Sequence, residues 1–270
     1  MNFKERQEII ANSKISFEYL THFNRNMGIL HIIQGTLMLL LGLVLEFSRD
    51  IYTFYLKVEI IPEISFVPEP TVLFTISYVG AILASFLLMS GIAHFLIAYP
   101  LNSKYIENLK KGINVYRWYE YVFSSSVMIT FIALLFGIWD FWSLLMIFVL
   151  NAMMIMFGFI MEVLNQYTEK TNWTPFILGC IAGFIPWLVI TGYFYGVTNS
   201  TGQGPPDFVY YIFITQAIIF NSFAINMVLQ YKGVGPWRDY LFGERVYILL
   251  SLGAKTLLAW FVFAGVFQPG

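Results

Sequence analysis

Seven apolar runs alternate with short polar stretches along the chain, approximately Met27–Phe47, Val72–Tyr99, Val115–Gly137, Phe141–Val163, Pro175–Tyr195, Asp207–Tyr231 and Arg245–Phe267. A helix rises ~1.5 Å per residue, so each run is long enough to cross the ~30 Å hydrocarbon core of a bilayer. The pattern predicts an all-α membrane protein with seven transmembrane helices. Inside the runs the polar positions are few, and three pairs recur at a spacing of four: Ser90 and His94, Glu120 and Ser124, Ser251 and Lys255. Four residues is about one helical turn, so the members of each pair face the same way.

The stretches between the runs carry ordinary loop breakers, as in GVTNSTGQGPP (196–206) and KGVGPW (232–237). The longest connection, 48–71, contains FYLKVEIIPEISF. Its β-branched and aromatic residues around a central Ile-Pro predict a short β-hairpin outside the membrane. Pro186 inside the fifth run predicts a kink rather than an end, because bundle neighbours can satisfy the freed carbonyl. Residues 1–26 form a charged, amphipathic leader, unlike a cleavable signal peptide with its basic tip and apolar core. With no internal repeat and no room for a second domain, residues 1–270 read as a single seven-helix domain.

Composition narrows the class further. With 58% hydrophobic and 11% charged residues and a mean hydropathy of +0.70, the chain is not a water-soluble domain; its partner is the lipid bilayer. A net charge of −1 gives no reason to expect nucleic acid. The single cysteine, Cys180, excludes an intramolecular disulfide. No metal-ligand spacing, phosphate-binding loop or nucleophile triad points to an enzyme. Lys4, Arg6, Lys14, Arg25, Lys104, Lys110, Lys111, Lys170, Lys232, Arg238 and Arg245 flank one side of the runs, against Arg49 and Lys57 on the other. Cytoplasmic loops carry the basic excess, so the N-terminus is expected in the cytoplasm and the C-terminus outside. The sequons at Asn172 and Asn199 then fall on opposite sides and read as chance matches.

Lys255 stands near the middle of the last run. A charge there costs at least ~2.5–3.5 kcal/mol, so it needs a partner, a function or both. A structural ion pair is the plain reading. A reactive amine is the sharper one, because a lysine shielded from water can lose its proton and condense with a carbonyl. Counting depth along each run puts His31, Ser90, His94, Glu120, Ser124, Asn221, Asn226 and Ser251 in the same half of the membrane as the lysine nitrogen, with Arg117 about a turn from Glu120. In the other half, TFIALLFG from Thr130 and LLAWFVFAGVF after Lys255 contain no ionisable group. The expectation is a polar cavity opening toward the cytoplasm with Lys255 at its floor. Glu120 balances the amine, and the histidines relay or buffer a proton. Glu162, at the cytoplasmic end of the fourth run, reads as interfacial. Among the aromatic residues within the runs are Trp118, Tyr121, Phe123, Phe131, Trp187, Phe213, Phe220 and Trp260. Lipid-facing belts account for many such rings. A flat conjugated ligand on Lys255 would take its sleeve from Trp187, Phe220 and their neighbours.

The segments NMGILHIIQG (27–36), SGIAH (90–94), RWYEYVFSSS (117–126), LNAMM (150–154) and ERVYILLSLGAKTLLAW (244–260) resemble the heliorhodopsins, retinal-binding seven-helix proteins of inverted orientation. The resemblance covers nearly the whole chain and implies a rhodopsin-like bundle. It also implies all-trans retinal joined to Lys255 as a protonated Schiff base with Glu120 as counterion. Ser90, Ser124 and Ser251 would lie near that nitrogen, His31 and His94 in the adjoining cytoplasmic-side cavity, and Asn151 along the chromophore; Tyr121, Trp187 and Phe220 are the aromatic candidates for binding it. A homodimer to which the long first loop contributes is implied as well. The chain departs from the proton-pumping rhodopsins, whose third helix carries an acid, a threonine and a second acid; here the positions are Glu120, Ser124 and Phe131. Phe220 stands where those pumps usually have tryptophan. A light sensor with an unidentified cytoplasmic signalling partner is therefore expected, and light-driven or light-gated ion transport is the alternative.

Overall fold

The computed structural model describes residues 3–43, 48–60, 63–201 and 204–266. In chain order the elements are α1 (Phe3–Ala11), α2 (Phe17–Gly42), β1 (Arg49–Glu59), β2 (Ser65–Ile76), α3 (Val79–Ala98), α4 (Asn102–Lys110), α5 (Val115–Leu135), α6 (Phe141–Leu164), α7 (Thr174–Thr201), α8 (Asp207–Lys232) and α9 (Tyr240–Val266). Among the described residues six helices, α3 and α5 to α9, are long and apolar enough to cross a membrane. The seventh long helix, α2, has 26 residues and opens on the polar stretch FEYLTHFNRN.

Several boundaries differ from those expected of hydropathy alone. The first long helix starts at Phe17 rather than Met27, because Ser16 caps it, its hydroxyl accepting the Tyr19 N–H at 3.0 Å, and Glu18 stands in the first turn. Its expected end at Phe47 lies outside the described residues. Residues 72–76, expected in the second helix, belong to β2. A short apolar run rich in β-branched residues cannot be told from helix by hydropathy. The fifth long helix, α7, continues through Pro186 and on to Thr201, across residues expected as loop.

The hairpin pairs antiparallel from Arg49↔Ile76 to Glu59↔Ser65, with one irregularity between Ile51 and Tyr52. Its tip at Ile61-Pro62 lies outside the described residues. The base is anchored on the α5–α6 turn: the Tyr52 N–H donates to the Trp139 carbonyl at 2.9 Å and Trp142 Nε1 to Thr53 Oγ1 at 3.0 Å. The far part, including Phe54, Leu56 and Phe66, is exposed.

Two regions of packing sandwich the site. At the hairpin end, Met38, Leu83, Phe86, Leu87, Ile129, Ile132, Leu258 and Val262 belong to one buried cluster. At the opposite, leader end, Ile10, Leu20, Tyr105, Leu109, Tyr240 and Leu241 form a second. On α2, Gly28, Gly35 and Gly42 recur every seven residues against α3; a β-carbon on Gly42 would overlap the Cα of Gly80. The short α1 lies across the leader end. Buried Arg6 stacks over the Tyr231 ring at 4.4 Å and runs its stem past Gly112, whose φ of +67° favours glycine. Ser13 Oγ donates to Asp239 Oδ2 at 2.5 Å, and Arg238 pairs with Glu5 at 3.0 Å.

Candidate functional site

α9 carries Lys255 into the middle of the bundle, where the residue is only 3% exposed. Its Nζ donates to Ser251 Oγ, one turn earlier, at 2.8 Å and to Glu120 Oε1 of α5 at 3.1 Å. From α3, Ser90 Oγ donates to the same Glu120 oxygen at 2.5 Å. Ser124, a turn along α5 from Glu120, is fully buried. The nitrogen stands 5.2 Å from the centre of the Tyr121 ring, and Tyr121 is fixed by its hydroxyl, which donates to the Tyr247 carbonyl at 3.0 Å. All three pairs spaced by four supply at least one buried member, and the amine, the carboxylate and two of the serines meet directly.

The histidines lie beside this group. His31 of α2 and His94 of α3 stack with ring centres 5.5 Å apart, and His94 Nδ1 is 2.7 Å from Asn24 Oδ1. Both nitrogens of His31 are buried without a hydrogen-bond partner among the described residues. A cavity of about 20 Å³ touches Asn24, Ser90, His94, Glu120, Tyr121 and Ser251, enough for one water molecule. Arg117 and Glu244 line it too, so a second charged cluster stands where an open polar mouth was expected.

That cluster corrects the reading of Glu162. Far from being interfacial, its side chain is 1% exposed and takes Arg117 Nη2 at 2.5 Å. It also accepts Trp118 Nε1 at 2.5 Å, the Asn114 N–H at 3.0 Å and the Tyr240 hydroxyl at 3.1 Å. Arg117 Nη1 pairs with Glu244, and Asn114 Nδ2 donates to Glu244 Oε1 at 2.6 Å. Glu244 was missed because the last run was read from Arg245, whereas α9 begins at Tyr240. The signal was available in ERVYILL: an acid one turn inside a helix start. The Tyr105 hydroxyl of α4 lies 3.5 Å from Glu244 Oε1, and burial pushes this phenol well above the usual tyrosine range.

Other expected residues fall further off. Asn151 Nδ2 donates to Ser125 Oγ at 2.8 Å and Ser126 Oγ at 3.1 Å, joining α6 to α5. Trp187 meets Phe220 edge to face at 5.6 Å, and Phe213 at 5.9 Å. Asn221 turns outward and bonds the Ala217 carbonyl of its own helix. Phe123 and Trp260 are exposed and add little to an internal sleeve. Gln34 and Thr130, toward the hairpin end, each hold a buried oxygen without a hydrogen-bond partner among the described residues.

A buried primary amine can condense with an aldehyde, and the carboxylate, hydroxyl and tyrosine ring beside it suit the cationic imine that results. The residues present fit retinal. The sequence profile of the heliorhodopsin family matches residues 20–267, nearly the whole chain. No curated protein matches the chain.

Proposed function

Because the chain belongs to the heliorhodopsin family, whose members are retinal-binding, photoreceptor-like membrane proteins, we propose that it is a light sensor with all-trans retinal on Lys255 and Glu120 as the counterion. The single observation that carries this reading is the buried contact of 3.1 Å between Lys255 Nζ and Glu120 Oε1. Retinal, when bound, supplies absorption of visible light and a bond rotation next to the nitrogen. The chain's own residues do the rest. Lys255 attaches, Glu120 balances a positive nitrogen, and Ser90 and Ser251 hold carboxylate and nitrogen in register. His31 and His94, with Asn24, offer a site to which a proton can go and from which it can return. Trp187, Phe220, Tyr121 and Asn151 confine the ligand.

Beyond Lys255, α9 continues as TLLAWFVFAGV without an ionisable group, whereas Glu120, His94 and Arg117 gather on the leader side of the lysine around one small cavity. That asymmetry favours signalling over pumping. The leader faces the cytoplasm in this reading, where a signalling partner would bind, and two copies associate through the exposed hairpin. Transport is the second reading, favoured by the buried oxygens of Gln34 and Thr130 on the far side of the lysine, which have no hydrogen-bond partner among the described residues; a steady photocurrent under voltage clamp would select it. The decisive experiment is Lys255→Ala purified with all-trans retinal. The intact protein should show a visible band that hydroxylamine bleaches, and the variant none; a band that survives the substitution refutes the attachment site.

A further inference from the structure

Three side-chain amides of α8 donate to main-chain carbonyls of α9: Gln216 to Ala254 at 3.2 Å, Asn226 to Gly243 at 3.1 Å and Gln230 to Tyr240 at 3.2 Å. A carbonyl only accepts, so each amide must turn its NH₂ group toward α9. Two of the ties sit at the leader end. The third stands apart at mid-depth, and its carbonyl belongs to the peptide unit that joins Ala254 to Lys255.

Gln216 is completely buried, and its Oε1 has no hydrogen-bond partner among the described residues. Leaving an acceptor unsatisfied is costly, and an apolar side chain of similar size would avoid that cost. What the amide adds is one directed bond, to the backbone beside the lysine. On α8, Gln216 shares a face with Phe213 and Phe220, three residues before and four after, and both rings pack on Trp187 of α7. The rings give contacts without direction, whereas the amide fixes one position on α9 to one on α8.

We infer that Gln216 is a positioning residue that ties the backbone at Lys255 to α8, so that displacement at the lysine is carried into α8 and along it to Asn226 and Gln230. The inference rests on Lys255 as the retinal attachment point, and the two can fail separately. The test compares Gln216→Leu, which fills the space without a donor, Gln216→Met as a second apolar variant, and Gln216→Glu, whose acid form offers an O–H to the same carbonyl. In retinal-free protein, amide hydrogen exchange of the α9 peptide around 254–258 should rise about threefold in the two apolar variants, with the hairpin peptides unchanged and Gln216→Glu near the parent. With retinal, all variants should keep the visible band. A fluorophore at Lys232→Cys, in a Cys180→Ser background, should report a light-evoked change in the parent and in Gln216→Glu that is lost in both apolar variants. Parent-like exchange, or a parent-like light response in the apolar variants, overturns the inference. Failure of the parent to form any visible band overturns the attachment site instead, and the exchange measurement still decides the tie.

Discussion

Lys255 and Arg117 are both cations buried inside the bundle, yet they are held in different ways. Lys255 faces one carboxylate and one hydroxyl. Arg117 is shared by two carboxylates, and those acids take further donors from Asn114, Trp118 and Tyr240. Removing one partner of a buried pair costs about 3–5 kcal/mol, because the other charge is left uncompensated. The Arg117 cluster is thus stiff and structural, while the sparse set around Lys255 leaves an amine open to chemistry. Glu120→Gln should move the visible band of the retinal-loaded protein to longer wavelength, since loss of the anion no longer stabilises the positive nitrogen of the dark state; an unmoved absorption maximum would assign the counterion elsewhere. The pair of Lys255 and Glu120 was legible from depth along the runs, because both stand deep inside apolar sequence. Glu162 and Glu244 were not, because each lies near the end of a run, where hydropathy reads water. Their burial comes from Tyr105, Tyr240 and α1 closing over the leader end, which is tertiary packing between residues far apart in sequence.

At the scale of elements, α2 and α3 approach closely enough for Gly42 to meet Gly80 backbone to backbone. Small residues let helices in lipid approach this closely, since burial of apolar surface gives no drive between them. Gly42→Leu would force the two helices apart, and overpacking of this kind costs about 1–3 kcal/mol. Its melting temperature in detergent should fall clearly, while Gly192→Leu, at a position with no heavy atom within 4 Å of an added β-carbon, should melt like the parent. The seven-residue spacing of Gly28, Gly35 and Gly42 was visible in the sequence, but which helix they meet was not. The hairpin shows the converse: its strand character was legible in FYLKV, yet β2 runs on to Ile76 through residues as apolar as the helix that follows.

For the whole molecule, the proposed orientation puts the leader end, with its excess of basic residues, in the cytoplasm. In inverted membrane vesicles trypsin should remove the leader at exposed Lys4 and Lys14 and spare Lys57 on the hairpin, and in right-side-out vesicles the pattern should reverse; the opposite outcome would overturn the orientation. Residues 3–13 rest on partners made far later: Arg6 on Tyr231, Ser13 on Asp239, Glu5 on Arg238. A growing chain therefore emits this short helix early and must keep it waiting until nearly all the remaining sequence has left the ribosome. Its seating is among the last events of assembly, and a protein stalled before residue 231 would still lack the surface on which its own beginning comes to rest.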